Sequence, residues 1–70
     1  MSKLLQDLLQ EIDDIAKAEF DGHYTILQFT TNVRVGFRTP YDREDIENVK
    51  AFSTLRQALE YAVVAKPKFY

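Results

Sequence analysis

Two runs rich in β-branched and aromatic residues decide the fold: His23-Tyr24-Thr25-Ile26-Leu27-Gln28-Phe29 and Val33-Arg34-Val35-Gly36-Phe37-Arg38. This composition is typical of β-strands. The segment that joins them, Thr30-Thr31-Asn32, is short and polar, and it ends in a residue that tolerates a positive φ. The sequence therefore predicts an antiparallel hairpin.

The register of this hairpin follows from the length of its loop. A three-residue loop with a left-handed Asn32 pairs Phe29 with Val33 and Leu27 with Val35. A two-residue turn at Thr31-Asn32 would instead place arginines on the apolar face, so we prefer the longer loop. The preferred register places five apolar residues on one face, which is the predicted core face: Leu27, Phe29, Val33, Val35 and Phe37.

The residues before the hairpin predict one amphipathic helix over roughly the first twenty residues. Ser2 is the predicted N-cap, and Asp21-Gly22 is the predicted stop, because glycine suits the left-handed position after a helix. The apolar positions share one side of the helix: Leu4, Leu5, Leu8, Leu9, Ile12, Ile15 and Ala16.

Two further helices are predicted after the hairpin. Thr39-Pro40 ends the second strand, and Asp42 is a suitable N-cap for a short helix that reaches Lys50. Ser53 is the predicted N-cap of a stronger helix that Lys66-Pro67 closes. The apolar face of that last helix is Leu55, Ala58, Leu59, Ala62 and Val63, with Phe52 packed beside it.

The predicted order is α-β-β-α-α, an α+β fold in which residues 1–70 form a single small domain with the helices on one face of the sheet. Two strands alone form a poor sheet, and both would have unpaired edges. Two hairpins that join edge to edge across a two-fold axis would solve this, so we expect a homodimer. Packing of the helices onto the hairpin within one chain is the alternative.

Length and composition support a small globular protein. The chain has 70 residues, a formal net charge of −2, 46% apolar and 29% charged residues, and no cysteine. Disulfides are excluded, and a domain of this size often gains stability from a partner. No apolar stretch is long enough for a membrane span, and the N-terminal residues do not resemble a secretory signal. We therefore expect a cytoplasmic protein, in the style of small bacterial or phage accessory proteins.

Catalytic chemistry has little support in the residue types. His23 is the one histidine, no thiol is present, and Ser2 and Ser53 are better explained as helix caps. Asp21 and His23 are too few ligands for a metal site, and the two glycines do not form a phosphate-binding loop. We expect no enzymatic activity, no cofactor and no metal.

The predicted outer face of the hairpin is the first candidate contact surface. It combines aromatic, aliphatic and cationic residues of the strands with a third arginine beyond them: Tyr24, Ile26, Arg34, Arg38 and Arg43. Arginine and tyrosine are enriched in protein interfaces, and they also suit stacking on bases beside phosphates. This surface has three interpretations: it contacts a protein partner, it contacts a nucleic acid, or it is simply exposed to solvent. Of the two binding interpretations, nucleic acid is the less favoured.

The charge is unevenly distributed along the chain. Residues 1–22 hold six acidic and two basic residues, whereas residues 23–70 hold five acidic and seven basic ones. Asp7, Glu11 and Asp14 form a candidate acidic contact face for a basic partner, or a solvated helix face. A last candidate surface consists of Tyr61, Val64, Phe69 and Tyr70.

The leading hypothesis is a non-enzymatic protein-interaction protein that acts as a homodimer with an unidentified partner, and the alternative is a weak nucleic-acid or anion-binding module.

Overall fold

Helices and strands follow the predicted order in the computed structural model, which describes residues 4–69. The fold is a small α+β domain whose two strands form an antiparallel hairpin. Its elements are α1 (Leu5–Glu19), β1 (Tyr24–Gln28), β2 (Val33–Phe37), α2 (Arg43–Glu47) and α3 (Leu55–Ala65).

α1 is amphipathic and ends where the sequence predicts. Its buried stripe is Leu8, Ile12 and Ala16. Asp21 (φ 55°) and Gly22 (φ 81°) turn the chain through left-handed conformations, and the Gly22 N–H donates to the Ala16 carbonyl at 2.8 Å. The predicted N-cap, Ser2, lies outside the described residues.

The hairpin has a different register from the predicted one. Tyr24 pairs with Phe37, and Ile26 pairs with Val35. The Phe29 N–H donates to the Asn32 carbonyl at 2.8 Å, so Thr30-Thr31 is the turn. Asn32 does not have a positive φ. The prediction of a three-residue loop was therefore wrong by one residue.

This shift reverses the two faces of β1, because side chains alternate along a strand. Tyr24 and Ile26 pack against the main core, whereas Phe29 is 48% exposed. The predicted assignment of β2 was correct, since Val33, Val35 and Phe37 are buried. β1 misled the prediction because it carries apolar residues on both faces, and only β2 has a clear alternation.

The second face of the hairpin is also covered, by residues that follow α2 and α3. A Cβ built on Gly36 would lie 3.0 Å from the Phe69 ring and 3.1 Å from Val49 Cγ2. Val49 and Phe69 are 1% and 0% exposed. The absence of a side chain at Gly36 therefore allows a second, smaller apolar layer to pack on the hairpin.

The outer edge of β2 is also occupied, which corrects the prediction that both strands have free edges. Val33 and Phe52 exchange backbone hydrogen bonds of 2.7 and 2.9 Å. At the other end, the Phe37 N–H donates to the Pro67 carbonyl at 2.8 Å, and the Phe69 N–H donates to the Phe37 carbonyl at 3.0 Å. These isolated bridges close both ends of that edge.

The two later helices differ in how well their N-caps were predicted. Asp42 caps α2 as predicted, and it forms a reciprocal capping box with Asp45. Thr54, not Ser53, caps α3, because the Thr54 hydroxyl accepts the Gln57 N–H at 3.2 Å. α3 ends at Ala65, and Lys66, its C-cap, has a left-handed backbone with a φ of 50°.

The main core lies between the hairpin and two helices. α1 packs over β1 and against α3, while α3 packs over β2. Phe20, just after α1, stacks on Phe37 with a centroid distance of 4.5 Å. The predicted face of α3 is confirmed, with Ala58, Leu59 and Ala62 buried. In this arrangement, the edge of β1 that faces away from β2 pairs with no other segment of residues 4–69.

Candidate interaction surfaces

The predicted contact surface on the outer hairpin face does not exist as one patch. Tyr24 and Ile26 lie on the core face because of the corrected register. Arg34 and Arg43 line one groove, whereas Arg38 lines a separate pocket. The structure thus brings together two of the five residues.

The basic groove, as we call it, lies between the turn end of the hairpin and α2. Its volume is about 520 Å³. Its lining consists of Phe29, Arg34, Asp42, Arg43, Ile46 and Glu47. Phe29 and Ile46 supply the apolar surface of the groove. The predicted register placed Phe29 on the core face, so its contribution to a surface groove was missed. Phe29 reaches the groove beside Ile46 because the observed register places its side chain on the outer face of the hairpin.

Neither arginine of the basic groove forms an ion pair with another residue of the described range, 4–69. Within residues 4–69, the lysine–carboxylate pairs Lys17–Asp13 and Lys66–Glu19 include neither arginine. Arg34 is half-buried, and its Nε is covered and has no hydrogen-bond partner among the described residues. Asp42 is engaged in its capping box at 3.1 Å from the Asp45 N–H.

Arg38 belongs to a polar pocket of about 270 Å³ where α1 meets the start of the hairpin. Its backbone is left-handed (φ 68°), and the Arg38 N–H donates to the His23 carbonyl at 3.0 Å. The Thr25 hydroxyl donates to the Arg38 carbonyl at 3.0 Å. These bonds hold Arg38 away from the basic groove. The other lining residues are Glu19, Phe20, Asp21, His23, Thr39 and Tyr41.

No group of three or more metal-ligating side chains converges anywhere in residues 4–69, the polar pocket included.

The acidic face of α1 is on the surface. Asp7 and Asp14 are exposed and Glu11 is half-buried. Asp14 accepts a hydrogen bond of 3.0 Å from the Gln10 amide. Next to it, Asp13 lies 2.8 Å from Lys17, and this hydrogen bond, with the charge of Asp13, raises the pKa of the Lys17 ammonium above its ordinary value. Two of the acidic side chains of this helix, Asp13 and Glu19, are therefore paired with lysines.

The predicted surface near the C-terminus is only partly present. Val64 is 83% exposed and Tyr61 contacts Phe52, with a centroid distance of 5.1 Å. Phe69 is fully buried, so its assignment to a contact surface was wrong. Tyr70 lies outside the described residues.

Among the helices of residues 4–69, none has the length and apolar character needed to cross a membrane.

The free edge of β1, formed by the outward backbone groups of Tyr24, Ile26 and Gln28, is the last candidate surface. Gln28 and Tyr24 lie opposite Val33 and Phe37, whose backbone groups point away from β1. In an antiparallel pair, residues opposite such positions also point away from their neighbour strand. No other segment of residues 4–69 pairs with β1 on that side.

Comparisons with known proteins supply no relative: no protein-family model, no curated protein and no solved structure matches this chain.

Proposed function

We propose that the protein is a non-enzymatic, cytoplasmic interaction protein that acts as a homodimer through the free edge of β1. The observation that carries the proposal is this edge, which has no neighbour within residues 4–69, whereas the edge of β2 is closed by Phe52 and by the segment around Phe69. A two-stranded sheet is marginal by itself, and an unpaired edge is a template for another strand.

The free edge of β1 lacks the features that usually protect an edge. The strand reads Tyr24-Thr25-Ile26-Leu27-Gln28, with no charged residue and no proline. Its pairing with β2 is continuous over all five residues, so no bulge twists the edge away. Natural proteins commonly prevent edge pairing with such charges, prolines or bulges. Their absence here favours a strand partner.

A second copy of the chain fits this edge by symmetry. If two β1 strands run antiparallel about a two-fold axis at Ile26, Ile26 lies opposite its own copy and Tyr24 lies opposite Gln28 of the second copy. Every outward backbone group of these residues then finds a partner. The result is a four-stranded sheet with α1 and α3 of each copy over one face.

The test uses sedimentation equilibrium of the full chain from low to high micromolar concentration. We expect a reversible shift from 8.2 kDa toward twice that mass. Gln28→Pro removes an outward N–H that has no partner within residues 4–69 and places a ring at the edge, so it should weaken dimerisation by about ten-fold or more. Gln28→Ala is the matched control and should dimerise as the parent does.

Two outcomes would contradict the proposal. One is a parent chain that stays at 8.2 kDa at high micromolar concentration. The other is a dimer that Gln28→Pro leaves intact, since such a dimer would use another surface. Amide exchange should distinguish these cases directly: the Ile26 N–H should become protected with rising concentration, while the Leu27 N–H, which faces β2, should be protected throughout.

A further inference from the structure

We infer that the basic groove binds a segment of a partner protein in which one carboxylate lies next to an apolar side chain. The inference concerns a different surface from the free edge of β1, and it does not depend on dimerisation. It rests on features of the groove between the hairpin and α2: two arginines, one of them partly buried, and the apolar side chains of Phe29 and Ile46.

The cations of the groove are available for an external carboxylate. Neither Arg34 nor Arg43 forms an ion pair within residues 4–69, although Asp42 and Glu47 line the same groove. Arginine presents a planar set of donors that matches a carboxylate and binds it through charge-assisted hydrogen bonds. An incoming carboxylate would therefore pair with arginines that have no ion-pair partner between residues 4 and 69.

Arg34 is held in place before any ligand arrives. It projects from β2 on the same face as Gly36, and its Nε is covered by neighbouring atoms. A side chain confined in this way loses little conformational entropy on binding.

Apolar walls indicate what should lie beside the carboxylate. Phe29 is 48% exposed, and Ile46 is half-buried on the opposite wall. An aliphatic or aromatic side chain of the partner would cover this surface and gain free energy from its removal from water. The volume of about 520 Å³ is sufficient for a short stretch of peptide rather than a folded domain.

The charge balance of the groove favours a peptide carboxylate over a nucleic acid. Two acidic residues, Asp42 and Glu47, line the groove with its two arginines. They would repel a run of phosphates more strongly than a single carboxylate that pairs with an arginine. Arg38, which would be needed to extend a cationic track, lies in the separate polar pocket. Nucleic-acid binding requires several phosphates to be neutralised at once.

The experiment is selection of a random dodecapeptide library on the immobilised full chain, followed by titration of a synthetic copy of the most enriched peptide. We expect enriched peptides with one Asp or Glu beside a Phe, Leu or Ile. Arg34→Gln and Arg43→Gln should each weaken binding of the synthetic peptide by about ten-fold, the size expected for one lost charge-assisted pair. Arg38→Gln is the matched control and should leave binding unchanged.

Four outcomes would overturn the inference. They are no enrichment, enrichment without a carboxylate, equal loss in the Arg38→Gln control, and tighter binding of single-stranded poly(dT) than of the peptide. Circular dichroism of each variant shows whether it is folded. If Arg34→Gln is not, loss in Arg43→Gln decides, because Arg43 is exposed and belongs to neither of the ion pairs found within residues 4–69.

Discussion

At the scale of single residues, Phe69 and Phe29 have opposite roles. Phe69 is 0% exposed and lies against Gly36, where no side chain separates it from β2. Phe29 is 48% exposed and forms a wall of the basic groove. The residue type does not distinguish them, because both are phenylalanines. Phe29 follows the end of β1, and Phe69 lies near the last residue of the sequence. Their burial depends on which neighbours are brought to them.

This difference predicts opposite costs for the same substitution. Phe69→Ala should lower the free energy of unfolding by about 3–5 kcal/mol, because it opens a cavity in the layer that Gly36 and Val49 complete. Phe29→Ala should cost less than about 1 kcal/mol, since its ring is half in water already. Urea unfolding followed by circular dichroism measures both. A larger loss in Phe29→Ala than in Phe69→Ala would support the three-residue loop instead of the observed register.

At the scale of elements, helices are predictable here because their signals are local. The 3.6-residue period of α1 and α3 places their buried residues correctly, and the Asp42–Asp45 capping box is visible in the sequence. The hairpin was predicted as an element but not in its register. β1 offers Leu27 to one face and Ile26 to the other, so alternation alone does not choose between them.

The N-cap of α3 provides a test at this scale. Thr54→Ala should destabilise the protein by about 0.5–2 kcal/mol, because the Gln57 N–H loses its hydroxyl acceptor. Ser53→Ala, one residue earlier, should be nearly neutral and serves as the control. Thermal unfolding of the two variants side by side measures the difference. Equal destabilisation by both substitutions would show that the cap is shared between the two residues.

At the scale of the whole molecule, the chain is as compact as one domain of its length. Its radius of gyration is 11.3 Å, against ~11 Å expected for this number of residues. Length was the main reason in the sequence to expect a second copy, and this compactness weakens that reason. The free edge of β1 is the stronger support for the homodimer: the sequence predicted free edges on both strands, and within residues 4–69 the structure closes that of β2 and leaves that of β1 open.

Charge predicts how the proposed dimer responds to salt. α1 packs over β1, so the two acidic helices would lie near each other on either side of the joined strands. Raising NaCl from about 50 mM to about 500 mM should therefore strengthen dimerisation by about three- to ten-fold, because salt screens like charges. Asp14→Asn should reduce this dependence. Sedimentation equilibrium at both salt concentrations measures it, and weaker association in high salt would contradict the edge-to-edge arrangement.

The sequence by itself determined the order of elements, the apolar stripes of α1 and α3, the stop at Gly22 and the clear alternation of β2, because each depends on residues close together in the chain. The tertiary structure alone decided the faces of β1, the burial of Phe69 and the meeting of Arg34 with Arg43. These depend on packing between distant segments, where a shift of one residue in register changes which side chains reach the core and which reach the surface.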